Sequence, residues 1–285
     1  MLGPNVPKGN CRSKKEEDVK TISVAIATYN EEENIAPCLV SVSSWVDEII
    51  LVDGGSQDKT VGIAKRFGAH VISSPNPPIF HLNKQKAVEA CSGKWILQLD
   101  ADEIVSGELQ REIYSITVAT ERATRDGYFI PRKNFFCGHW LRKGGQFPDY
   151  VIRLFKRGKG AFPCKSVHEQ IQIAGSVGYL HEPLTHNTYR SVSEYWRKAD
   201  AYTSLAAHEL LQKNIFVTMM TILEYNVMLP IVTFVNLFVR HKGFIDGWYG
   251  LLFALFSALH YPIAFQKYLH IRHKGSKKIF HEAEH

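Results

Sequence analysis

Two acidic residues at the end of an apolar run carry the clearest chemical signal in this sequence. Residues 95–99 are typical of a buried strand, and Asp100, Ala101 and Asp102 follow directly. In an extended chain alternate side chains point the same way, so we expect Asp100 and Asp102 to share a face. Paired carboxylates can hold a hard divalent cation such as Mg²⁺ or Mn²⁺, which can neutralise a phosphate or diphosphate. The alternative is a solvated acidic junction between strand and loop.

Two earlier apolar runs, residues 21–27 and 48–52, end in the same way. The first stops at Thr28 and Tyr29, and the second stops at Asp53 in an Asp-Gly-Gly turn. Apolar residues at helical spacing lie between the runs, and this alternation predicts an α/β fold with a mostly parallel sheet. Such sheets bind ligands at the carboxyl ends of their strands, where all these polar residues fall.

The helix expected after the second run has signals at both ends. Ser56 is the expected N-cap, because its hydroxyl can accept a backbone N–H, and Gly68 is the expected stop. Residues 70–72 predict a short third strand. Residues 83–91 predict another helix, which leads to the strand that begins at residue 95.

Three segments resemble the family 2 inverting glycosyltransferases with a GT-A fold. They are residues 27–31 (ATYNE), 52–60 (VDGGSQDKT) and 99–103 (LDADE), and their order and spacing match over residues 21–190. Downstream motifs are similar to the lipopolysaccharide core glucosyltransferase group: Gly144-Gly145, Pro148-Asp149, Arg153-Leu154-Phe155, Val167-His168-Glu169, and His186 with Tyr189. The resemblance implies transfer of a hexose, glucose in that group, from a UDP-sugar to a lipid-linked or lipopolysaccharide-type saccharide.

The resemblance also implies how a donor would be bound. Asp53 would accept the imide hydrogen of uracil, although a turn-forming role is the alternative for an Asp in this setting. The base and ribose would be lined by Thr28, Tyr29 and Glu31. Asp102 would hold the metal against the diphosphate, and Asp100 would bind the ribose or share the metal. The ion would offset the charge that builds on the departing UDP.

Further residues could face the diphosphate or the metal. Lys84 or its neighbour Lys86 could contact the phosphates, with a solvated helix face as the alternative. Arg153 is either a phosphate ligand or part of a structural ion pair. His186 could contact the metal or the leaving phosphate.

Inverting transfer needs a general base that takes the proton of the attacking hydroxyl. We expect Glu169 to be this base, because the resemblance places its motif near the donor. Asp149 is the second candidate. His168 could orient Glu169 or the acceptor, with a purely structural histidine as the alternative.

The last part of the chain, residues 191–285, predicts a helical membrane-associating region. It begins with a capping-box pattern at Ser191 and Glu194, and a polar helix is expected to about residue 214. Two apolar runs follow, residues 215–239 and 244–265, each long enough to cross a bilayer, for which roughly 20 residues suffice.

Charge disfavours two plain spans of the bilayer. Two spans would export the basic connection at residues 240–242, against the positive-inside tendency. We therefore expect peripheral or monotopic attachment to the cytoplasmic face of the inner (plasma) membrane. A hydrophobic dimer interface is the alternative.

Composition fits one enzyme domain with a helical appendage. The 285 residues carry a net charge of +6, which suits a membrane surface, and contain no nucleic-acid-binding motif. The predicted parts are a flexible polar tail (1–20), the GT-A domain (21–190) and the helical region. Five cysteines without metal-ligand spacing indicate a reduced cytosol.

Two other classes of function remain open from sequence. A nucleotidyltransferase also uses a parallel sheet and a metal, but no glycine-rich phosphate loop follows the first predicted strand. A non-catalytic, membrane-bound binder of sugar nucleotides, or a scaffold, is the second alternative.

Overall fold

The structure is a computed structural model that describes residues 21–77, 79–117, 125–164 and 170–283, with side chains described to residue 273. Its strands are β1 (Ile22–Thr28), β2 (Glu48–Asp53), β3 (His70–Ser73), β4 (Trp95–Asp100), β5 (Glu103–Ile104), β6 (Gly127–Phe136), β7 (His139–Trp140), β8 (Asp149–Lys156), β9 (Gly160–Ala161), β10 (Gln172–Ile173), β11 (Val177–Tyr179) and β12 (Leu184–Tyr189).

The helices lie between the early strands and after the last one. They are α1 (Ile35–Val40), α2 (Thr60–Arg66), α3 (His81–Ala90), α4 (Gly107–Thr117), α5 (Val192–Gln212), α6 (Met219–Leu223), α7 (Leu229–Phe234) and α8 (Gly247–Ala283). Turns of π-helix at Glu224–Met228 and Val235–Arg240 extend α6 and α7, and a 3₁₀ turn at Gly243–Asp246 leads into α8. We call Met219–Arg240 the first apolar segment.

The main sheet has the strand order β3-β2-β1-β4-β8-β6-β12-β5. The first four strands are parallel, and β8 joins them antiparallel to β4. From β1 the chain moves outward to β2 and β3, and then crosses back to β4 on the other side of β1. This crossing makes a topological switch point at the carboxyl ends of β1 and β4. Ala27 pairs with Asp100 there, and Thr28 pairs with Asp53. The predicted α/β class is confirmed.

The central parallel strands are buried on both faces, which explains why they read as nearly unbroken apolar runs. One face contributes Ile26, Leu51 and Leu97 to a core shared with α1 and α4. The opposite face contributes Val52 and Ile96 to a second core shared with α3. The polar residues at the strand ends are therefore positioned by strands that are packed on both faces.

Two local predictions are wrong. Helix α2 begins at Thr60 with Lys59 as its N-cap residue, because the hydroxyl of Ser56 instead donates to Asp53 Oδ1 at 2.5 Å. The extended geometry expected across Asp100 and Asp102 is also absent, since β4 ends at Asp100 and the next two residues form a turn. The stop at Gly68 is confirmed by its left-handed backbone, with φ of 76°.

The C-terminal helices pack on one another and on the end of the sheet. Tyr195 and Trp196 of α5 contact Phe256 of α8, and Phe136 of β6 packs edge-on against Tyr195. Ser191 caps α5 by accepting the Glu194 N–H, as predicted. The polar helix α5 and the long helix α8 are therefore joined to the sheet through one aromatic cluster.

The connection between the two apolar stretches rests on the sheet domain. Asp246 accepts hydrogen bonds from the backbone N–H groups of Arg142 and Lys143, at 3.0 and 2.8 Å. The Gly144 N–H donates to the carbonyl of His241 at 2.9 Å. Because these contacts join residues about 100 positions apart, the connection and the sheet domain lie on the same side of the helices.

Two stretches of helix are long and apolar enough to cross a membrane. The most apolar part of the first apolar segment has a mean hydropathy of 1.7 and no buried residue. The most apolar part of the second stretch, Gly243–His273, has a mean hydropathy of 1.3, and 28% of it is buried. An apolar surface of this extent marks a contact with a membrane or with a partner.

Candidate active site

A cavity of about 710 Å³ opens at the switch point of the sheet. We call it the donor cavity. Its floor is formed by the ends of β1 and β4, and its walls come from α3, β12 and α5. Seven of the predicted site residues line it: Thr28, Tyr29, Glu31, Lys84, Asp100, Asp102 and His186.

The loops after β1 and β2 are tied to each other by backbone-to-side-chain hydrogen bonds. The Asn30 N–H donates to Ser56 Oγ, and the Gln57 N–H donates to Asn30 Oδ1, both at 2.8 Å. Asn30 adopts a left-handed conformation, with φ of 53°, which short polar side chains tolerate well. Tyr29 and Glu31 on either side of it are thereby held at the cavity wall.

Two residues of the β1 loop have properties suited to a bound ligand. Thr28 Oγ1 is buried and has no hydrogen-bond partner among the described residues, although its residue lines the cavity. A buried hydroxyl without a partner is rare and calls for a ligand or water. Burial raises the pKa of Glu31, even though Asn34 donates a hydrogen bond to it at 2.7 Å.

Asp53 uses both carboxylate oxygens within its own turn. Oδ2 accepts the N–H groups of Gly55 and Ser56 at 3.0 and 2.9 Å, and Oδ1 accepts the Ser56 hydroxyl. The side chain is buried, and the described lining of the donor cavity does not include it. These contacts are those of the turn-forming alternative, and recognition of a base by Asp53 stays a prediction.

Asp100 is neutralised by two cations. Its carboxylate contacts Arg153 Nη2 at 2.6 Å and also pairs with Lys84. Burial alone would raise the pKa of Asp100, but the charges of Arg153 and Lys84 outweigh it and hold that pKa well below its usual range. Lys84 faces the cavity, whereas Lys86 is exposed and contacts Ser74.

Arg153 lies behind Asp100 and is only 6% exposed. It donates to Glu103 at 2.7 Å and to the side-chain oxygen of Gln98. Both partners are fully buried. Of the two alternatives stated from sequence, these contacts match the structural ion pair, because Arg153 supports Asp100 from the interior and the described cavity lining does not include it.

Asp102 faces a different pair of groups. Its Oδ2 atom lies 3.5 Å from His186 Nε2 and 3.5 Å from Lys198 Nζ. Burial alone would raise the pKa of Asp102, but the charges of His186 and Lys198 outweigh it and lower that pKa. Lys198, on α5, was missed by sequence reasoning, because no motif marks it and 96 residues separate it from Asp102. Only the helix start at Ser191 hinted that α5 would return to the site.

His186 is oriented by Asn134, a second residue that sequence reasoning missed. Asn134 Nδ2 donates to Asp149 and to the Gln146 carbonyl, both at 3.1 Å, which turns its Oδ1 towards His186 Nδ1 at 2.7 Å. When His186 is neutral, Nδ1 carries the proton and donates it to this oxygen. The lone pair of Nε2 then faces Asp102, an arrangement typical of histidines that bind a metal.

The donor set at Asp102 and His186 therefore fits a divalent cation. Asp102 Oδ2 and His186 Nε2 are 3.5 Å apart, and each can donate an electron pair. A cation bound between them would therefore be stabilised by both. Within the described ranges, no group of three or more His, Cys, Asp or Glu side chains is arranged to hold a metal. A cation such as Mg²⁺ commonly has few protein ligands and completes its shell with water and substrate phosphates.

The candidates for the general base are placed only in part. Glu169 and His168 lie outside the described residues. Asp149 is described, and its Oδ2 atom accepts hydrogen bonds from Arg132 Nε and Nη2 at 3.0 and 2.6 Å. Arg132 also lines the donor cavity, so Asp149 positions a cation there that sequence reasoning did not single out.

Sequence comparison identifies the family. The profile of glycosyl transferase family 2 matches residues 23–158. An uncharacterized glycosyltransferase from Rickettsia typhi is 31% identical over 205 residues, which are 68% of this chain and 70% of the relative. The lipopolysaccharide core biosynthesis glycosyltransferase LpsC from Rhizobium meliloti is 26% identical over 259 residues, 83% of this chain and 90% of LpsC. This chain belongs to glycosyltransferase family 2, and its predicted resemblance to the lipopolysaccharide core group is confirmed.

Two solved structures show partial similarity to this chain. Glucosyl-3-phosphoglycerate synthase from Mycobacterium tuberculosis, solved with Mn²⁺, UDP and glucosyl-3-phosphoglycerate, is 29% identical with a TM-score of 0.31. The match covers 41% of this chain and 44% of the synthase. S. aureus TarS is 17% identical with a TM-score of 0.44, and the match covers 79% of this chain but 45% of TarS.

Arg153→Met tests whether the buried ion pairs hold the strand end in place. Removing one partner leaves Glu103 and Asp100 underpaired in the interior, so the free energy of unfolding at neutral pH should fall by about 3–5 kcal/mol. Denaturant unfolding of purified protein measures it. Arg111→Met, which removes a solvent-exposed arginine paired with Glu108, is the control and should change little.

The same variant has a defined pH dependence. The folded-state pKa of Asp100 is depressed, so its contribution to stability is present above the unfolded pKa of about 3.9 and is lost as the pH falls below it. The difference in the free energy of unfolding between wild type and Arg153→Met should therefore become smaller at acid pH. A difference that is small at neutral pH, or constant with pH, would contradict this role.

Proposed function

We propose that this chain is a membrane-associated inverting glycosyltransferase that moves a hexose from a UDP-sugar to a lipid-linked or lipopolysaccharide-type saccharide. Glucose is the first donor sugar to test. The observation that carries the proposal is the convergence of Asp102, His186 and Lys198 on one cavity at the switch point. The similarity to LpsC along most of both chains supports the class of acceptor.

In this proposal the donor cavity divides into a nucleoside end and a diphosphate end. Thr28, Tyr29 and Glu31 line the nucleoside end, where the unpartnered hydroxyl of Thr28 could bond to the ribose or base. Lys84 and Lys198 would face the diphosphate, since both cations line the cavity and pair with its carboxylates. Asp53 would contact uracil through the lone pair that remains on Oδ1, since its carboxylate already accepts three hydrogen bonds within its own turn.

Asp102 and His186 would hold Mg²⁺ or Mn²⁺. Bound there, the ion would supply electrophilic stabilisation of the negative charge on the departing UDP. Asn134 keeps the metal-binding nitrogen of His186 directed at Asp102. Arg153 keeps Asp100 ionised and in place from the interior.

The acceptor hydroxyl would attack the anomeric carbon on the face opposite UDP. A bond forms between the acceptor oxygen and that carbon while the bond from the carbon to the UDP oxygen breaks. The hydroxyl proton passes to a general base, for which Glu169 is our candidate and Asp149 the second. His168 would orient Glu169 or the acceptor. Configuration at the anomeric carbon is inverted because the displacement is direct.

Attachment to the cytoplasmic surface of the membrane is supported by how the helices pack. The connection at Asp246 contacts the sheet domain, which argues against a hairpin that exports this connection while the sheet domain stays in the cytosol. The opposite orientation would carry α5 into the bilayer beside α8, with charged residues such as Asp200 and Lys267, which pair between the two helices. Helices that lie in the membrane interface neither export the basic connection nor bury these charged residues in the bilayer.

Asp102→Asn tests the metal site. The substitution keeps the volume of the side chain but removes its charge, so the fold should persist while metal-dependent UDP release falls to background. The full-length protein is incubated with a panel of UDP-sugars and Mn²⁺ or Mg²⁺, and UDP is measured. A variant that keeps its rate and its metal requirement would remove Asp102 from the metal site. Release of pyrophosphate instead of UDP would favour a nucleotidyltransferase.

Glu169→Gln tests the general base. Glutamine keeps the size of the side chain but cannot accept a proton at neutral pH, so transfer should slow by roughly a hundredfold or more, while UDP affinity is unchanged. Glu108→Gln, on the exposed face of α4, is the matched control. A Glu169→Gln rate close to wild type would move the role to Asp149 or His168.

Single cysteines test the side of the membrane on which the connection lies. Lys242→Cys and, as the control in the sheet domain, Arg66→Cys are both exposed. In intact cells a membrane-impermeant thiol reagent should label neither, and after permeabilisation it should label both. Labelling of position 242 alone in intact cells would show a spanning hairpin and exclude monotopic attachment.

A further inference from the structure

A second cavity, of about 560 Å³, lies between α5, the first apolar segment and α8. We call it the helix cavity. Tyr202 of α5 lines both the helix cavity and the donor cavity, and it is half exposed. The two cavities therefore adjoin at this side chain.

One face of α5 leads from the donor cavity along the helix cavity. Lys198, Tyr202, Ala206 and Glu209 follow one another at intervals of four, four and three residues, which places them along one stripe of the helix. At 1.5 Å of rise per residue, Lys198 and Glu209 are about 16 Å apart along the axis. Ala206, in the middle of this stripe, contributes only a methyl group to the cavity wall.

Most of the exposed wall of the helix cavity is apolar, and hydroxyl groups are the commonest polar groups on it. The described residues that line it include Glu209 and His260 but no lysine or arginine. His260 is held in place by the hydroxyl of Tyr195, at 2.9 Å. Six lining side chains carry hydroxyl groups: Tyr202, Thr203, Tyr225, Thr233, Ser257 and Tyr261.

This chemistry selects the class of ligand. The described lining offers no lysine or arginine to neutralise a phosphate, and a buried anion needs a positive or hydrogen-bond-donating partner. Hydroxyl groups and tyrosine rings suit an uncharged ligand that carries many hydroxyl groups of its own and has apolar faces. The cations Lys84 and Lys198 lie on the donor side of Tyr202, so the two cavities differ in the charge they accept.

The position of the helix cavity indicates how such a ligand would arrive. Tyr225 and Thr233 belong to the first apolar segment, whose outer surface is exposed. Ser257 and Tyr261 belong to α8. A saccharide in the cavity could therefore be joined to a lipid whose chains lie along the apolar surface of the same helices.

We infer that the helix cavity binds the uncharged saccharide portion of the acceptor and passes its reactive end to the donor cavity beside Tyr202. This inference rests on the proposed function and assigns its acceptor to a place in the fold. It excludes the helix cavity as a site for the phosphate groups of a lipid carrier.

Ala206→Trp tests the inference by filling the middle of the cavity. Full-length protein is mixed with labelled UDP-glucose and with washed membranes from a strain in which the gene for this protein is deleted. Two quantities are measured: the label transferred to extracted glycolipid, and the free glucose that hydrolysis of UDP-glucose releases. Transfer to glycolipid should fall by roughly tenfold or more, with hydrolysis unchanged. Leu211→Trp, an exposed position of α5 outside the cavity lining, is the control and should keep both activities.

The outcomes separate the two proposals. If wild type transfers sugar and Ala206→Trp transfers it equally well, the helix cavity is not the acceptor site, and the proposed function stands. If wild type neither hydrolyses nor transfers any UDP-sugar, the proposed function is wrong. The thermal unfolding midpoint of Ala206→Trp establishes that a loss of transfer is not a loss of fold.

A second measurement does not depend on the donor. Ala206→Cys is a small change, and its reaction with an uncharged maleimide is followed by peptide mass spectrometry. Soluble saccharide released by mild acid from the glycolipid of the deletion strain should slow labelling of position 206 but not of Leu211→Cys. Inorganic diphosphate should protect neither. Equal protection of position 206 by diphosphate, or no protection by the saccharide, would overturn the inference.

Discussion

Two carboxylates held close together at the end of a buried strand have to be neutralised, and the rest of the site is arranged around this requirement. Asp100 is paired with Arg153 and Lys84, whereas Asp102 faces His186 and Lys198. These partners come from α3, β8, β12 and α5, so four elements converge on one strand end. The mutual repulsion of the two acids is reduced because Asp100 pairs with Arg153 and Lys84, and Asp102 lies near Lys198.

The two carboxylates differ in what their partners leave available. Asp100 is bound from the interior by an arginine that is itself buried between Glu103 and Gln98, which makes it a fixed part of the framework. Asp102 has longer contacts, at 3.5 Å, to a histidine and a lysine. A ligand that brings a metal and a diphosphate can replace the longer contacts more readily than the shorter ones. Asp102 is therefore the more available ligand.

Helix α5 joins the donor cavity to the apolar C-terminal helices of the chain. Its first turns carry Lys198 into the donor cavity, and Tyr195 joins it to β6 and α8 through one aromatic cluster. Its later turns form a wall of the helix cavity. One helix therefore lines both cavities and packs against α8.

Local patterns in the sequence were sufficient for the parallel strands and the polar ends that they carry. Unbroken apolar runs predict strands buried on both faces, and their ends must then lie at one edge of the sheet. The local hydrogen bonds of Ser56 were misassigned, because a short hydroxyl can serve either a helix N–H or a neighbouring carboxylate. In this fold the nearby Asp53 is the partner, and α2 begins four residues later.

The sequence by itself determined the α/β class, the family, and the acidic strand end at Asp100 and Asp102, since each depends on residues that are close in the chain. The tertiary structure alone decided which cations pair with each acid, the orientation of His186 by Asn134, and the return of Lys198 to the site. Those contacts join residues that are 16 to 96 positions apart and come from different elements. Their geometry depends on strand order and helix packing, which no local pattern of residue types specifies.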